Sequence, residues 1–350
     1  MNENPVNPAA DSGQTSNACV NDKNYWYDRL HKDFQSMQRI PVFNLDSWCK
    51  TKLFQLLMNI APSPRTPPEI TKEKVPGFGV FYHPKSCEYK ERPPAALLWI
   101  HGGGRVVGAC DSSDNIKHCQ HLCKELDMPV LSACYRLAPK HPFPAALDDL
   151  VEAYKWLVDR LQSDAIDDMK QQPISIVVAG ESAGGGLAAE LCQKLLDEQQ
   201  QSSSERSLPL PAAQLLIYPM LDDRTCLDLQ HDNLPSHLLW NNKSNMYGWS
   251  SYFSPNHKPG DEIIPNYMSA SRRKDLSNLP PAYIFCGTLD LFLNECRDYA
   301  QRLEEHGVPV EYDELVGGFH GMLSLGDGKD SVVRMWENLL AFGKKYLKDP

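Results

Sequence analysis

Short apolar runs alternate with stretches whose apolar residues recur at helical spacing along most of this chain. The short runs predict seven strands, at 78–83, 95–100, 129–135, 174–179, 213–218, 281–286 and 310–315. The amphipathic stretches predict five helices, at 115–126, 144–161, 183–198, 293–306 and 331–347. This alternation is typical of a mostly parallel sheet with helices on both faces, so the predicted fold class is α/β.

Two segments interrupt the alternation. Residues 25–60 are rich in aromatic side chains and lead into the proline-dense stretch 61–68, and residues 222–270 form a second aromatic-rich segment directly after a strand. An insertion at that position is well placed to cover the carboxyl ends of the strands, where open α/β sheets bind ligands. Its aromatic residues either line a ligand site or form the core of the insertion itself.

The interruptions predict a division of the chain. Residues 1–24 form a flexible tail, residues 25–70 the first part of a cap, and residues 71–350 the main domain, with a cap insertion at about 222–270. Residues 198–211, rich in glutamine and serine, are expected to be an exposed connection.

The net charge of the chain excludes some classes of binding partner. The 350 residues carry a formal net charge of −10, with 42% hydrophobic residues, which is ordinary for a globular protein. Phosphate contacts need clustered Lys and Arg, so we expect neither nucleic acid nor an anionic membrane as the main partner. We also expect no signal or transit peptide and no membrane span.

The eleven cysteines are scattered rather than spaced as a disulfide framework, which favours reduced thiols and a cytoplasmic location. One cluster, with His118, Cys119, His121 and Cys123, could be read as a metal site. On a helix, however, the two histidines point away from the cysteine pair, and the cysteines continue an apolar stripe of core residues. We therefore expect no metal.

The pentapeptide Gly180-Glu181-Ser182-Ala183-Gly184 lies between a predicted strand and a predicted helix. A nucleophilic serine of an α/β enzyme sits on such a strand-to-helix turn, where small flanking residues let the backbone bend sharply. A serine hydroxyl is a weak nucleophile at neutral pH and needs a neighbouring base. Ser182 is the candidate nucleophile, with Glu181 as part of its supporting motif.

Such a serine needs an acid and then a histidine further along the chain. Asp290 and His320 each follow a predicted strand, so both can meet Ser182 at one rim of the sheet. Asp290 could instead cap the next helix, and Glu295 and Asp298 are rival acids, but both rivals fall inside that helix. The competing histidines all precede the acid: His83, His101, His141 and His257.

His101, Gly102, Gly103 and Gly104 directly follow a predicted strand. Consecutive glycines expose backbone amides, and we expect those of Gly103 and Gly104, with that of Ala183, to form an oxyanion hole. His101 and Gly102 support the loop, with His101 in a structural role. A phosphate-binding loop is the alternative, but no Lys-Ser or Lys-Thr pair follows.

Five motifs along the chain resemble those of the hormone-sensitive-lipase-like α/β-hydrolases, a family that includes bacterial, fungal and arylacetamide-deacetylase-type esterases. The resemblance spans about 95–325 and rests on the glycine loop, on 135–149 and 218–224, on the serine pentapeptide and on the glycines at 317–321. It implies an eight-stranded sheet with a helical cap and carboxylester hydrolysis without a cofactor. It also implies that Ser182, Asp290 and His320 are nucleophile, acid and base.

Two classes of function follow. The first is a serine carboxylesterase for neutral, small to medium acyl esters; acyl transfer, lactone hydrolysis and natural-product deacetylation remain open. The second is a small-molecule receptor on the same scaffold, as in the plant gibberellin receptors, which lack the histidine that this chain retains as His320. A lipase acting at an oil–water interface would need an exposed apolar lid. Homodimerisation through the second cap segment also stays open.

Overall fold

A computed structural model describes most of the chain. The described residues are 28–37, 44–60, 62–86, 94–165, 172–201, 208–228 and 240–347. The predicted tail at residues 1–24 lies outside them.

Within the described residues, eight strands form one sheet. They are β1 (Ile70–Val75), β2 (Gly79–Pro84), β3 (Ala95–Ile100), β4 (Val130–Ala133), β5 (Ser175–Glu181), β6 (Ala213–Ile217), β7 (Ala282–Gly287) and β8 (Val310–Leu315). Their order is β1-β2-β4-β3-β5-β6-β7-β8. Strand β2 is antiparallel to β1 and β4, and the remaining pairs are parallel. The predicted α/β class and eight-stranded sheet are confirmed.

Strand β1 is an element that the pattern did not predict. Only its end residues Ile70 and Val75 are buried, and the four residues between them, Thr-Lys-Glu-Lys, are exposed. An edge strand with one neighbour needs little apolar surface, and its charged side chains protect the open edge. The central strand β3 is the opposite case: residues 96–100 are fully buried, which gives the continuous apolar run of a strand covered on both faces.

Eight α-helices lie in the described part of the chain. They are α1 (Trp48–Ile60), α2 (Ser113–Leu126), α3 (Ala145–Asp164), α4 (Ala183–Gln201), α5 (Asn242–Phe253), α6 (Leu293–Glu305), α7 (Met322–Leu325) and α8 (Asp330–Leu347). Helix α4 packs on β5 and β6 and beside α3, whereas α8 packs on the same strands and beside α2. No helix in these segments combines the length and the apolar character needed to cross a bilayer.

Helices α1 and α5 were not predicted, and both fall in the segments that interrupt the alternation. The buried side of helix α5 mixes asparagine and serine with aromatic residues, so its sequence has no apolar stripe. Its start is nevertheless marked, because the Asn241 side chain accepts the Ser244 N–H at 2.9 Å.

The expectation of reduced thiols fails for one pair. Cys110 and Cys134 form a disulfide, with Cα atoms 5.0 Å apart, while the other seven cysteines in the described segments form no disulfide. The pair is 24 positions apart in sequence and becomes adjacent through tertiary structure. The Ser132 hydroxyl on β4 donates to the Cys110 carbonyl at 2.8 Å, which holds the two segments together.

Candidate active site

Ser182 occupies the turn between β5 and α4 with a φ of +54°, in the left-handed region that a non-glycine residue rarely adopts. Two backbone contacts hold this conformation: the Ser182 N–H donates to the Ile217 carbonyl at 2.8 Å, and its carbonyl accepts the Met220 N–H at 2.9 Å. A Cβ at Gly180 would collide with the backbone of Gly184, so the turn closes only with glycine at 180. The side chain is thereby presented beyond the end of the strand.

Asp290 and His320 lie beside this serine. The distance from Ser182 Oγ to His320 Nε2 is 2.8 Å. On the other side of the ring, His320 Nδ1 is 2.9 Å from Asp290 Oδ2 and 3.1 Å from Oδ1. The three residues follow β5, β7 and β8, whose parallel course brings their carboxyl ends to one rim of the sheet. All three side chains are buried, which strengthens the electrostatic contacts among them.

The rival acids lie elsewhere. Both carboxylate oxygens of Glu295 are engaged, one accepting the Leu221 N–H at 2.7 Å and the other the Thr225 hydroxyl. Burial raises the pKa of this carboxyl well above its usual range. Asp298 is exposed and pairs with Arg302 across one helical turn.

Asp290 accepts the Phe292 N–H at 2.9 Å, so it stabilises the turn before α6 as well as facing the histidine.

The glycine loop runs beside Ser182. Gly103 and Gly104 have φ values of +114° and +59°, so the loop turns through backbone angles that favour glycine. A Cβ on Gly102 would lie 3.3 Å from the Ser182 Cβ, which fixes how closely the two segments approach. Ala183, fully buried, is the first residue of α4.

His101 is held by its surroundings. Its ring stacks on Tyr135 with centroids 4.3 Å apart, and the Tyr135 hydroxyl donates to the His101 carbonyl at 2.8 Å. Burial lowers the pKa of His101 to about 4, so the ring is neutral at pH 7. The neutral ring can donate from Nδ1 to the Gly102 carbonyl at 2.8 Å, which suits a structural role in the loop.

Three aromatic rings surround His320 and were not singled out from the sequence. The centroid of Tyr218 lies 4.8 Å away, that of Phe292 5.0 Å away edge-on, and that of Trp240 6.5 Å away. The Tyr218 hydroxyl also donates to the Glu181 carboxylate at 3.0 Å, which ties β6 to the residue before Ser182. Trp240 comes from the predicted insertion, so at least one insertion aromatic faces the site.

A second feature missed from the sequence is a buried ion pair behind the glycine loop. Arg105 donates two hydrogen bonds to the Glu190 carboxylate on α4, at 2.7 and 2.9 Å, and neither side chain is exposed. The rings of Trp249 and Tyr252 on α5 lie 4.5 and 4.2 Å from the guanidinium. Burial raises the pKa of Glu190 to about 7, with the Arg105 charge acting in the opposite direction. The pair joins the glycine loop, the helix after Ser182 and the insertion.

A family model described as the alpha/beta hydrolase fold matches residues 97–324, which contain the serine turn, the glycine loop and the histidine. The chain belongs to the hormone-sensitive-lipase-like α/β-hydrolases.

Individual relatives of this hydrolase include an ethyl acetate hydrolase of Pseudomonas putida, 32% identical over 66% of this chain and 67% of that protein. Lipase 2 of Moraxella sp. (strain TA144) is 30% identical over 69% of this chain, which spans 57% of that protein. Among solved structures, a bacterial heroin esterase superposes with a TM-score of 0.78 and 27% identity, covering 92% of this chain and 99% of that one.

The cysteine–histidine cluster of the hydrolase is divided between two environments. Cys119 and Cys123 are fully buried in the core. The ring centroids of His118 and His121 lie 5.5 and 5.2 Å from the ring centroid of Trp336. The described segments contain no group of three His, Cys, Asp or Glu side chains placed to hold a metal ion. The burial of Cys119 and Cys123 fits the apolar-stripe interpretation of this helix.

Proposed function

We propose that this α/β-hydrolase is a serine carboxylesterase that works through an acyl-enzyme intermediate. The observation that carries the proposal is the continuous set of contacts from Ser182 Oγ to His320 Nε2 and from His320 Nδ1 to Asp290. Family membership and the esterases among its relatives support hydrolysis of carboxylic esters.

In the proposed reaction, Ser182 Oγ bonds to the acyl carbon while its proton passes to His320 Nε2. Asp290 accepts the Nδ1–H, which fixes the ring orientation and stabilises the imidazolium. Backbone amides of Gly103, Gly104 and Ala183 are the proposed donors to the oxyanion. The alcohol leaves with the proton from Nε2, and water, deprotonated by the same nitrogen, then releases the acid and regenerates the serine.

We propose neutral esters with small to medium acyl groups as substrates. Tyr218, Trp240 and Phe292 give the surroundings of His320 an apolar character, which favours uncharged groups. The relative that hydrolyses ethyl acetate and the structural neighbour named as a heroin esterase are consistent with small acyl groups.

Hydrolysis of p-nitrophenyl esters from acetyl to palmitoyl tests this proposal. We expect turnover with a short-chain optimum, together with covalent labelling at Ser182 by a fluorophosphonate, because that reagent reports an activated serine. A folded protein that neither turns over any ester of the series nor labels would exclude the esterase. Saturable ligand binding by such an inert protein would favour the receptor alternative.

Trp240 is expected to limit acyl-chain length. Its ring packs against Gly104 so closely that a Cβ there would collide with it, and its Nε1–H donates to Asn245 at 3.3 Å. Removing the ring in Trp240→Ala opens space beside the glycine loop. The ratio of kcat/KM for octanoyl over acetyl ester should rise by about tenfold. Trp156→Ala on α3, remote from Ser182, is the matched control, and an equal change in both variants would contradict the assignment.

Cytoplasmic location is also proposed, supported by the seven cysteines of the described segments that form no disulfide. The Cys110–Cys134 bond is the observation that counts against it, since disulfides persist mainly in oxidising compartments. Alkylation of the protein from freshly lysed cells, followed by mass measurement, should find this pair reduced if the location is right.

A further inference from the structure

Helix α1 turns an apolar face to solvent. Four large hydrophobic side chains on it are more than half exposed: Trp48 at 56%, Leu53 at 59%, Leu56 at 57% and Leu57 at 56%. The three leucines follow i, i+3, i+4 spacing, so they are neighbours on the helix surface. The opposite side of the helix carries Thr51, which is buried.

This concentration of exposed apolar side chains does not recur in the other described segments. Their remaining exposed large hydrophobic residues stand on separate elements: Leu227, Ile263, Val316 and Val333. Single exposed apolar residues are normal on a protein surface, whereas a contiguous apolar patch marks a contact with another apolar surface.

The charged residues on α1 indicate which kind of surface its apolar face contacts. The helix holds Lys50 and Lys52 and no acidic residue, although the chain as a whole has a net charge of −10. Lys50 pairs with Asp46, which lies just before the helix, at 2.7 Å, so the positive charge offered to a bound surface is mainly that of Lys52. Lys52 Nζ lies 5.9 Å from the Trp48 ring centroid, beside the apolar face. Leucine and tryptophan flanked by lysine are the composition of a helix that lies in a membrane interface, with the lysines reaching to lipid phosphates.

Helix α1 is also attached to the candidate active site. The Gln55 side chain accepts the Gly108 N–H at 2.7 Å, in the loop that begins with the glycine triplet. Just before α1, the Leu45 N–H donates to the Ser244 hydroxyl on α5 at 2.9 Å. A surface bound to α1 would therefore lie next to the insertion that contributes Trp240.

We propose that α1 docks on the surface of a phospholipid membrane, with Trp48 and the three leucines at the boundary between headgroups and acyl chains. If the proposed esterase function holds, its substrates include apolar esters dissolved in that membrane. A second copy of the chain fits less well, because four half-exposed side chains fall short of the roughly 800 Å² that each partner buries in a stable interface.

Co-sedimentation with phosphatidylcholine vesicles tests the docking, since it requires no turnover. Leu53→Ser/Leu56→Ser should bind at least about tenfold more weakly than the wild type, because two apolar anchors are lost. Ile263→Ser/Val333→Ser, which changes two exposed hydrophobic residues elsewhere, should bind as the wild type does. Both variants should hydrolyse dissolved p-nitrophenyl acetate at the wild-type rate.

Three results would overturn the docking: a wild type that does not co-sediment, an α1 variant that binds as well as the wild type, or a wild-type dimer in light scattering that the α1 variant converts to monomer. The two proposals fail separately. If the protein binds vesicles but hydrolyses no ester, the docking proposal stands and the esterase proposal is wrong. If it hydrolyses esters but does not bind vesicles, the esterase proposal stands and the docking proposal is wrong.

Discussion

Ser182→Ala should lower kcat for p-nitrophenyl acetate by about five to six orders of magnitude, because it removes the only atom proposed to bond to the acyl carbon. His320→Ala should cost about as much, since it removes the proposed base, which lies within hydrogen-bond distance of Ser182. The double variant should be no worse than either single one, because the two groups act as a unit. The kcat of each variant is measured at high enzyme concentration, and circular dichroism shows whether the variant is folded.

Asp290→Asn belongs to the same experiment and should cost about four orders of magnitude, because an amide in place of the carboxylate favours the wrong histidine tautomer. Ser163→Ala, on the exposed end of α3, is the matched control and should retain full activity. If Ser182→Ala kept more than a small fraction of wild-type turnover, a different nucleophile would have to be sought.

The second large effect is expected at the buried ion pair. Glu190→Leu leaves the Arg105 charge without its carboxylate at a site with no solvent exposure, and the free energy of unfolding should fall by about 3–5 kcal/mol. Urea denaturation monitored by tryptophan fluorescence measures it. Because Arg105 directly follows the glycine triplet, kcat should fall as well, even where the variant is fully folded.

Two further variants test whether the lost stability comes from the unpaired buried charge. In Arg105→Met/Glu190→Leu both charges are gone, so most of the lost stability should return. Glu314→Gln breaks a pair of similar geometry, with Arg297 at 2.6 Å, but on the surface, and should cost no more than about 1 kcal/mol. Equal destabilisation by Glu190→Leu and Glu314→Gln would show that burial of the pair does not matter.

The sequence was most informative where burial is strongest. Strand β3 has the bounds that were predicted, and α4 begins at the predicted residue, because a parallel sheet covered on both faces leaves uninterrupted apolar runs. Strand β1 and helix α1 were missed for a shared reason. Strand β1 has only two buried residues, and four large apolar side chains of α1 are exposed, so in neither element does the apolar pattern mark a buried face.

Part of the candidate site could be predicted from the sequence and part could not. The positions of Ser182, Asp290 and His320 could be anticipated, because each follows a strand and the parallel strands end at one rim. Their hydrogen-bond contacts agree with that geometry, while their catalytic roles stay predictions. The Arg105–Glu190 pair could not be anticipated, since its partners are 85 positions apart and no local pattern links them.

The order of the site along the chain also bears on how the protein is made. The glycine loop and Ser182 precede the insertion, while Asp290 and His320 follow it on the last two strands of the sheet. A ribosome that has synthesised the first 221 residues has produced the proposed nucleophile without its base or acid. On the proposed assignment, Ser182 gains its base only when the segment after β8, which carries His320, is in place, so completion of folding would activate the serine.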